Sequence, residues 1–398
     1  MARFRMYPTA VQQAVLLEHC AHARYVWNLA LEQWSMWTRG RRPAPGYLEQ
    51  ARQLTEARAT FSWLRAGSQT AQQQALRDFD QAVRNFRAGT HGRPTWRRAG
   101  RHEGFRIVGA QALRVLTHNR KWGAVNVPKV GWVRIRLSRA VPEAKSYRVT
   151  RDAAGRWHLA FAVVPRPIQA PDNGKIVGVD RGVIVSAALS TGELLSCSGP
   201  SDAERGRLKH LQRRLLRCRR GSGRRLRVKA AMAKLYARLA DRRRDWVEKT
   251  TTDLARRFDL IRVEDLRIPA MVRRPRPKPD PERPGQFLPN RRRAKAGLNR
   301  GIMANCWGVL VRRLDDKAPG RIERVNPAFT SQACSACGHC APENRESQAV
   351  FRCAACGRRA HADVNAAANI AAGRAVSARR EMPVPVSPKR EPQLATSA

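Results

Sequence analysis

The sequence predicts a multidomain chain that combines α+β and α/β parts: an N-terminal helical insert with a small β-barrel, then an α/β domain with an inserted zinc ribbon. Apolar side chains recur at helical spacing through residues 9–89, and they alternate with polar ones through residues 104–164. Further along, apolar strands end in carboxylates, and two cysteine pairs follow. The length of 398 residues suits two or three domains.

The first part of the chain is predicted to be helical. Thr9 is placed to cap a helix over residues 9–38, and residues 47–89 are helical again after a break rich in Arg and Pro. The apolar positions expected to face the core are Val11, Leu16, Leu17, Cys20, Tyr25, Val26, Leu29, Leu31, Trp63, Leu64, Leu76, Phe79, Val83 and Phe86.

Short strands are predicted next, at 105–107, 125–127, 133–137, 147–149 and 157–163. Several short strands with turns between them favour a small barrel, and its outward positions are often Arg. The remaining predicted elements are a Pro-rich linker 165–174, strands 176–180 and 184–189, a basic helical hairpin 203–258, a strand 260–264, a flexible stretch 269–293, a helix about 299–315, a strand 321–325, a helix 362–373 and a disordered tail 374–398.

The charge balance points to a polyanionic partner. The chain has 77 Lys and Arg against 31 Asp and Glu, a formal net charge of +46. Such a charge opposes folding by self-repulsion unless a polyanion neutralises it, and nucleic acid is the obvious one. Codon bias in a GC-rich genome explains Arg in place of Lys, but it does not explain the shortage of acids.

No membrane partner is expected. No stretch approaches the roughly 18 apolar residues that a span needs. The first residues carry no long apolar segment typical of a signal peptide. The cytoplasm, in association with the nucleoid, is therefore the expected location.

The cysteine spacing predicts a structural zinc site. Cys334 with Cys337 and Cys353 with Cys356 form two CxxC pairs that are 15 residues apart. Four thiolates satisfy tetrahedral Zn²⁺ and leave no position for a substrate. Disulfides, a redox pair or iron are the alternatives, and the adjacent Cys340 is expected to be a bystander. The scattered cysteines, which are Cys20, Cys197, Cys218 and Cys306, are expected to be buried free thiols.

Three carboxylates are candidates for a catalytic metal site. Asp180 and Glu264 each end an apolar strand, and Asp363 opens the last predicted helix. On neighbouring strands of one sheet the side chains converge, and a carboxylate cluster is what two Mg²⁺ ions require for phosphodiester hydrolysis. The ordinary alternatives are solvated strand ends and a helix N-cap.

The order of these motifs resembles the TnpB/OrfB family of transposon-encoded proteins. Gly178-Val179-Asp180-Arg181-Gly182 and Val263-Glu264-Asp265-Leu266 resemble its first two RuvC motifs, and the run from Asp363 to Ile370 resembles the third. Similar stretches are Arg5 to Pro8, Tyr25 to Leu31, Lys295 to Arg300 with Trp307, and Asn326 to Cys334. The resemblance extends to about residue 373.

The resemblance implies an RNA-guided DNA endonuclease whose RuvC/RNase H-like site binds Mg²⁺ through Asp180, Glu264 and Asp363. It implies a guide RNA from the transposon end and a target-adjacent motif read by the N-terminal half. A non-cleaving DNA-binding regulator and a strand-transferring transposase remain as alternatives. The oligomeric state stays open.

The implied domain boundaries are 1–40 for an N-terminal segment, 41–103 for a recognition insert, 104–170 for a wedge-like barrel, 174–330 for the RuvC-like nuclease, 331–360 for the zinc ribbon, 361–373 for the final RuvC helix and 374–398 for the tail.

The sequence departs from the pattern of the TnpB/OrfB family in two ways, and His361 and four aromatic residues are further candidates for a role in the protein. Many relatives carry Asp-Arg before the third aspartate, where His361-Ala362 stand here, so transition-state stabilisation is expected to be weaker. The predicted recognition helices are short and the Pro-rich stretch is unusual, so the target-adjacent motif of a family member cannot be assigned to this protein. His361 is expected to be a structural helix-start residue. Four aromatic residues are candidates to stack on bases, but aromatic residues near a barrel more often fill its core, which is the expectation for Tyr7, Trp96, Trp122 and Trp132.

Overall fold

The computed structural model describes residues 2–37, 44–109, 114–163 and 166–373. The chain divides into two compact units. One comprises Met1–Pro165 and Ser201–Arg238, and the other comprises Arg166–Pro200 and Leu239–Ala398. Within the described ranges, no helix is both long enough and apolar enough to cross a membrane.

The first unit pairs a curled sheet with helices. In chain order its elements up to the linker are β1 (Ala2–Tyr7), α1 (Ala10–Ser35), α2 (Tyr47–Thr60), α3 (Ser62–Ala66), α4 (Gln69–Arg87), β2 (Gly104–Val108), β3 (Val115–Thr117), β4 (Trp122–Val127), β5 (Gly131–Arg136), β6 (Ser146–Arg151) and β7 (Trp157–Phe161). The seven strands form one antiparallel sheet in the order β2-β6-β7-β1-β5-β4-β3.

The first strand, β1, was not anticipated as a strand. It lies in the middle of the sheet, with Phe4 opposite Leu159 of β7 and Met6 opposite Ile135 of β5. Phe4 and Met6 are buried while Arg3 and Arg5 lie on the other face, which is the period-2 pattern of a half-buried strand. The signal was present in the sequence, but it covers only six residues.

The sheet rolls around its core. The hydroxyl of Tyr147 on β6 donates to the carbonyl of Asn126 on β4 across 3.2 Å. These strands are four positions apart in the sheet order, so in a flat sheet they would lie about 19 Å apart. A tyrosine side chain cannot span that distance, so the sheet must be strongly curved. Among the described residues the end strands β2 and β3 do not pair, so they do not close the predicted barrel.

Helix α1 begins where the sequence predicted. Thr9 caps it, and Gln12 completes a capping box with the Thr9 backbone. The predicted apolar face is only partly correct, because the buried stripe runs through Leu16, Cys20, Ala23, Val26, Trp27, Ala30 and Leu31 and includes His19 and His22. Of the predicted core positions, those that are exposed instead are Val11, Tyr25, Leu29, Trp63 and Phe86.

The remaining elements, in chain order, are β8 (Ile176–Asp180), β9 (Ala187–Leu189), β10 (Leu194–Leu195), α5 (Asp202–Arg217), α6 (Gly223–Arg257), β11 (Leu260–Glu264), α7 (Ile268–Met271), β12 (Lys278–Pro279), β13 (Phe287–Leu288), α8 (Arg292–Ala304), α9 (Trp307–Lys317), β14 (Ile322–Val325), β15 (Val350–Arg352), β16 (Arg359–His361) and α10 (Ala362–Ala372). The predicted basic hairpin is α5 and α6, and Leu211, Val228 and Leu235 are buried between its arms.

The second unit is built on a five-stranded sheet in the order β10-β9-β8-β11-β14. Strands β8, β11 and β14 are parallel, and β9 runs antiparallel to β8. The core of this sheet includes Val177, Val179, Ile261 and Val263, all fully buried. Side chains of α6 and α9 pack against them.

Three sequence predictions in this unit need correction. The strand predicted from Ile184 begins only at Ala187, and Ile184 is 68% exposed. The helix predicted over about 299–315 is two helices, because Cys306 adopts a left-handed backbone (φ 57°) between α8 and α9. The stretch 269–293, predicted to be flexible, carries α7 and the β12–β13 hairpin. The predicted tail 374–398 lies outside the described residues.

Helix α10 packs on strand β8 at a glycine. A β-carbon on Gly178 would lie 2.0 Å from the carbonyl oxygen of Ala367 and 2.4 Å from the amide nitrogen of Ala371. Both atoms belong to the helix backbone, which cannot move aside as a flexible side chain can. The close approach of helix and strand therefore requires glycine at this position.

Replacement of Gly178 by alanine should destabilise the protein by about 3 kcal/mol or more, because the added methyl group overlaps the α10 backbone. Urea unfolding of the full chain measures the change. Gly199→Ala is the matched control, since a β-carbon there meets nothing within 4 Å. Equal effects of the two substitutions would show that α10 does not lie this close to β8.

Candidate functional site

Asp180 and Glu264 end neighbouring parallel strands. Val179 of β8 lies opposite Val263 of β11, so the residues that follow them occupy adjacent positions at the carboxyl edge of the sheet. The preceding apolar residues of both strands are buried, which fixes the strand faces and hence the direction of each carboxylate.

Asp363 reaches the same edge on helix α10. The helix runs antiparallel to β8, because Gly178 lies against Ala367 and Ala371 whereas a β-carbon on Gly182 would lie 3.8 Å from the Asp363 carboxylate. The N-cap is His361, whose Nδ1 accepts from the Asp363 amide across 3.2 Å. His361 therefore has the structural role expected of it, and Asp363 is not the cap.

The cluster of carboxylates is short of positive charge. Burial first, and then the negative charges of Glu264 and Asp363, raise the pKa of Asp180 to about 7. Burial also raises the pKa of Glu264. Arg345 and Arg181 oppose the shift at Asp180 without cancelling it. A site that raises carboxylate pKa values in this way suits a bound divalent cation, which stabilises the ionised forms.

The three carboxylates are near one another without forming a single tight group. Among the described residues, the four cysteines are the one set of at least three potential metal ligands whose atoms all lie within 4.8 Å of one another. Asp180, Glu264 and Asp363 are not such a set.

Two side chains that the sequence did not single out orient the carboxylates. The Thr330 hydroxyl donates to Oε1 of Glu264 across 2.8 Å. The Arg345 guanidinium donates to Oδ1 of Asp363 across 3.3 Å. Nothing in the sequence marks Arg345 among 77 basic residues, because its role depends on where the cysteine-rich segment folds back.

A third side chain, Arg181, is only 4% exposed and donates to the Glu264 backbone carbonyl. It directly follows Asp180, so it joins the ends of β8 and β11. This buried cation is stabilised by the charges of Glu264 and Asp180, although burial lowers its pKa.

The loop after Asp180 is held by the junction of α8 and α9. Trp307 Nε1 donates to the Gly182 carbonyl across 3.1 Å, and Asn305 Nδ2 donates to the Val183 carbonyl across 2.7 Å. The Ser186 hydroxyl donates to Oδ1 of Asn305. The first two bonds satisfy backbone carbonyls of the loop between β8 and β9.

The four cysteines have the geometry of a tetrahedral zinc site. The Sγ atoms of Cys334 and Cys356 lie 3.8 Å apart, and those of Cys337 and Cys353 lie 3.5 Å apart. A tetrahedron with metal–sulfur bonds of about 2.3 Å has edges of about 3.8 Å. Gly338 and Gly357, which follow the two pairs, both have positive φ, a conformation that glycine adopts readily in tight turns.

Two asparagines join this cysteine site to the carboxylate edge. Asn365 of α10 accepts from the Ser335 amide and donates to the Ala333 carbonyl across 2.8 Å. Asn369, one turn later, donates to the carbonyls of Ala333 and Thr330. Both side chains are 1% exposed. The segment that supplies Thr330 and the first cysteine pair is thereby fixed to the helix that carries Asp363.

Cys340 lies outside the four-cysteine group, in agreement with its predicted bystander role. It is partly buried, and its backbone bridges to Ala333. The prediction that the scattered cysteines are buried is correct for Cys20 and wrong for the other three, which are only partly buried. Cys197 follows β10, Cys218 caps the end of α5 and Cys306 caps the start of α9, and solvent reaches part of each side chain.

Family models match three parts of the chain. A model described as "Probable transposase" of the OrfB, IS605 type matches residues 158–274, and an OrfB "Helix-turn-helix domain" matches residues 2–42. The described residues of that second stretch form β1 and α1 rather than two helices. A "Cas12f1-like, TNB domain" matches residues 307–370, which include the four cysteines, Arg345 and Asp363.

Two full-length relatives show the family. Both bear the name "Putative RNA-guided DNA endonuclease", one of them InsQ of Escherichia coli (strain K12), which is 32% identical over 96% of this chain and 94% of its own length. The other, from Streptomyces pristinaespiralis, is 30% identical over 99% of this chain and 96% of its own length. This chain is a member of the TnpB/OrfB family of IS605-type transposons.

The fold is also that of a solved relative. A cryo-EM structure of a Cas12f1-sgRNA-target DNA complex is similar over 90% of this chain and 82% of its own, with a TM-score of 0.53 and 15% identity. The architecture is thus a Cas12f-like multidomain α+β fold with a RuvC region and a four-cysteine site near the carboxyl end.

Substitution of Cys353 by serine should remove the structural zinc, because three thiolates bind it much more weakly than four. Elemental analysis of the purified protein should give close to one zinc per chain for the wild type and far less for the variant. Cys340→Ser is the matched control and should keep its zinc. Loss of zinc from the control would mean that Cys340 is a ligand and that the four-cysteine assignment is wrong.

Proposed function

We propose that this protein is an RNA-guided, Mg²⁺-dependent DNA endonuclease that hydrolyses phosphodiester bonds at Asp180, Glu264 and Asp363. The observation that carries the proposal is the convergence of these carboxylates, distant in sequence, on one sheet edge, where burial and the charges of Glu264 and Asp363 raise the pKa of Asp180. The names of the two full-length relatives and the guide and target in the Cas12f1 complex supply the RNA and the DNA.

The finer architecture follows from the same proposal. The RuvC-like domain is built on β8, β11 and β14, the basic hairpin α5–α6 interrupts it, and the cysteine-rich segment is a zinc ribbon inserted before α10. The rolled sheet of the first unit corresponds to a wedge-like barrel, and α2 to α4 correspond to the recognition insert. The domain boundaries predicted from the sequence are part of this proposal.

Asp180, Glu264 and Asp363 would hold two Mg²⁺ ions, for which buried carboxylate oxygens are suitable ligands. Bound magnesium supplies Lewis-acid activation of the attacking water and stabilisation of the leaving oxygen. The residues of the chain provide the positioning. Thr330 holds one oxygen of Glu264 and so orients the other, and the α10 N-terminus places Asp363.

Arg345 supplies the cation that the residues before Asp363 lack. His361-Ala362 stand where many relatives carry Asp-Arg, but Arg345 reaches Asp363 from the ribbon. Its guanidinium, 31% exposed as a side chain, has further N–H groups that can donate to a phosphate oxygen as negative charge develops. The expected weakening of transition-state stabilisation is therefore offset by a residue elsewhere in the sequence.

The Asp180→Asn variant should lose DNA cleavage by roughly a thousandfold or more, because a neutral amide is a poor Mg²⁺ ligand. It should still co-purify with a discrete RNA and bind target DNA, since neither depends on this carboxylate. Cleavage assays, gel shifts and sequencing of the bound RNA measure the three properties.

Asp202→Asn is the matched control, because the Asp202 side chain is 96% exposed on α5, and it should cleave normally. DNA cleavage by Asp180→Asn at the wild-type rate would contradict the assignment of the nuclease site. Absence of any discrete RNA from the purified wild type would contradict the guided mechanism alone. Joining of donor DNA to target DNA by the wild type would favour the transposase alternative.

A further inference from the structure

The outer face of the curled sheet carries a cluster of aromatic and arginine side chains. It consists of Arg5 and Tyr7 on β1, Trp122 on β4, and Arg134 and Arg136 on β5, and is called here the Arg–aromatic cluster. Tyr7 lies opposite Arg134, and Arg136 lies opposite both Arg5 and Trp122. The neighbouring positions on these strands are buried in the core, so the cluster occupies the other face.

The rings and guanidinium groups of the cluster stack on each other. The Tyr7 and Trp122 rings meet edge to face with centroids 5.2 Å apart. The Arg134 guanidinium lies 4.5 Å from the Trp122 centroid and 5.9 Å from the Tyr7 centroid. Arg136 lies 5.1 Å from the Trp122 ring. Such stacking holds flexible arginines in place, so a ligand that contacts them causes less loss of conformational freedom.

The cluster is accessible, and the strands that carry Arg134 and Arg136 and their neighbours hold no acidic residue. Tyr7 is 42% exposed and Arg134 is exposed, and Trp132, on the same face, is 44% exposed. Strands β1, β4 and β5 contain no Asp or Glu. In the part of the chain that the structure describes, neither Arg134 nor Arg136 forms an ion pair with a carboxylate. The exposed aromatics contradict the expectation that residues of this kind fill the core.

We propose that the Arg–aromatic cluster binds unpaired nucleotides of a single-stranded nucleic acid, with a base stacked against Tyr7 and its flanking phosphates contacted by Arg134 and Arg136. Phosphates alone would need only the cations, and an acidic protein segment would make no use of exposed ring faces. Unstacked bases use both, because every base has a face that stacks on an aromatic ring or a guanidinium plane.

This site is additional to the nuclease function proposed above and requires no magnesium. It is formed entirely by three strands of the first unit, whereas the carboxylates belong to the second. Failure of one proposal therefore leaves the other intact. RNA and DNA single strands share the recognised groups, so the experiment must distinguish them.

The test uses the full-length protein without added magnesium and fluorescein-labelled 12-mers of four kinds: a uridylate RNA, a deoxyuridylate DNA, an abasic DNA strand and a DNA duplex. Tyr7→Leu should weaken binding of the two base-bearing single strands by about fivefold to 150-fold and leave the abasic strand unchanged. Tyr7→Phe keeps the ring and should bind as the wild type does.

Arg134→Gln should weaken all three single strands and reduce the slope of log Kd against log salt by about 0.7 for each phosphate that the variant no longer neutralises. Arg101→Gln removes the same charge from an exposed site of the same unit and serves as the control. Thermal melting checks that each variant is folded. The ratio of RNA to DNA affinity identifies which strand the cluster prefers.

Four results would overturn the proposal. The first is an equal effect of Tyr7→Leu on base-bearing and abasic strands, which would leave only charge. The second is tighter binding of the duplex than of either single strand. The third is displacement of the uridylate by poly-glutamate at equal charge, which would assign the face to an acidic protein. Lower stability of Tyr7→Leu with unchanged binding would likewise show that the cluster only stabilises the sheet.

Discussion

The close packing of α10 on β8 is the contact on which the candidate site depends. Gly178 lets the two backbones approach, and the helix then runs back along the strand so that its first turn reaches the carboxyl edge of the sheet. That arrangement brings Asp363 to Asp180, 183 positions earlier in the chain. Because Asn365 and Asn369 of the same helix also hold the ribbon segment, one packing contact determines both the carboxylate edge and the place of the cysteine site.

The site is assembled at an electrostatic cost that only a cation offsets well. Burial of carboxylates beside one another is unfavourable, as the raised pKa values of Asp180 and Glu264 show. Arg181 and Arg345 reduce the repulsion, but each is tied to a particular group: the Glu264 carbonyl for one and the Asp363 carboxylate for the other. Arrangements of this kind are typical of functional sites, where stability is given up for ligand binding.

The sequence predicts the parts of this site whose signal is local. The two CxxC pairs and the apolar strands that end in Asp180 and Glu264 can be recognised within a few residues. Arg345, Thr330 and Asn305 cannot, because each matters through a partner more than 15 positions away. The exposed Tyr25 and Leu29 were misplaced for a related reason: His19 and His22 occupy part of the buried stripe of α1, which an apolar pattern does not reveal.

The central claim is that Asp180, Glu264 and Asp363 share divalent cations, and Mn²⁺ binding followed by electron paramagnetic resonance tests it most directly. Mn²⁺ accepts the same oxygen ligands as Mg²⁺ and gives a signal that changes on binding. We expect tight Mn²⁺ binding to the wild type and clear weakening in each of Asp180→Asn, Glu264→Gln and Asp363→Asn, with zinc content unchanged. If two of these three single variants each bound Mn²⁺ as tightly as the wild type, the carboxylates would not form a common site.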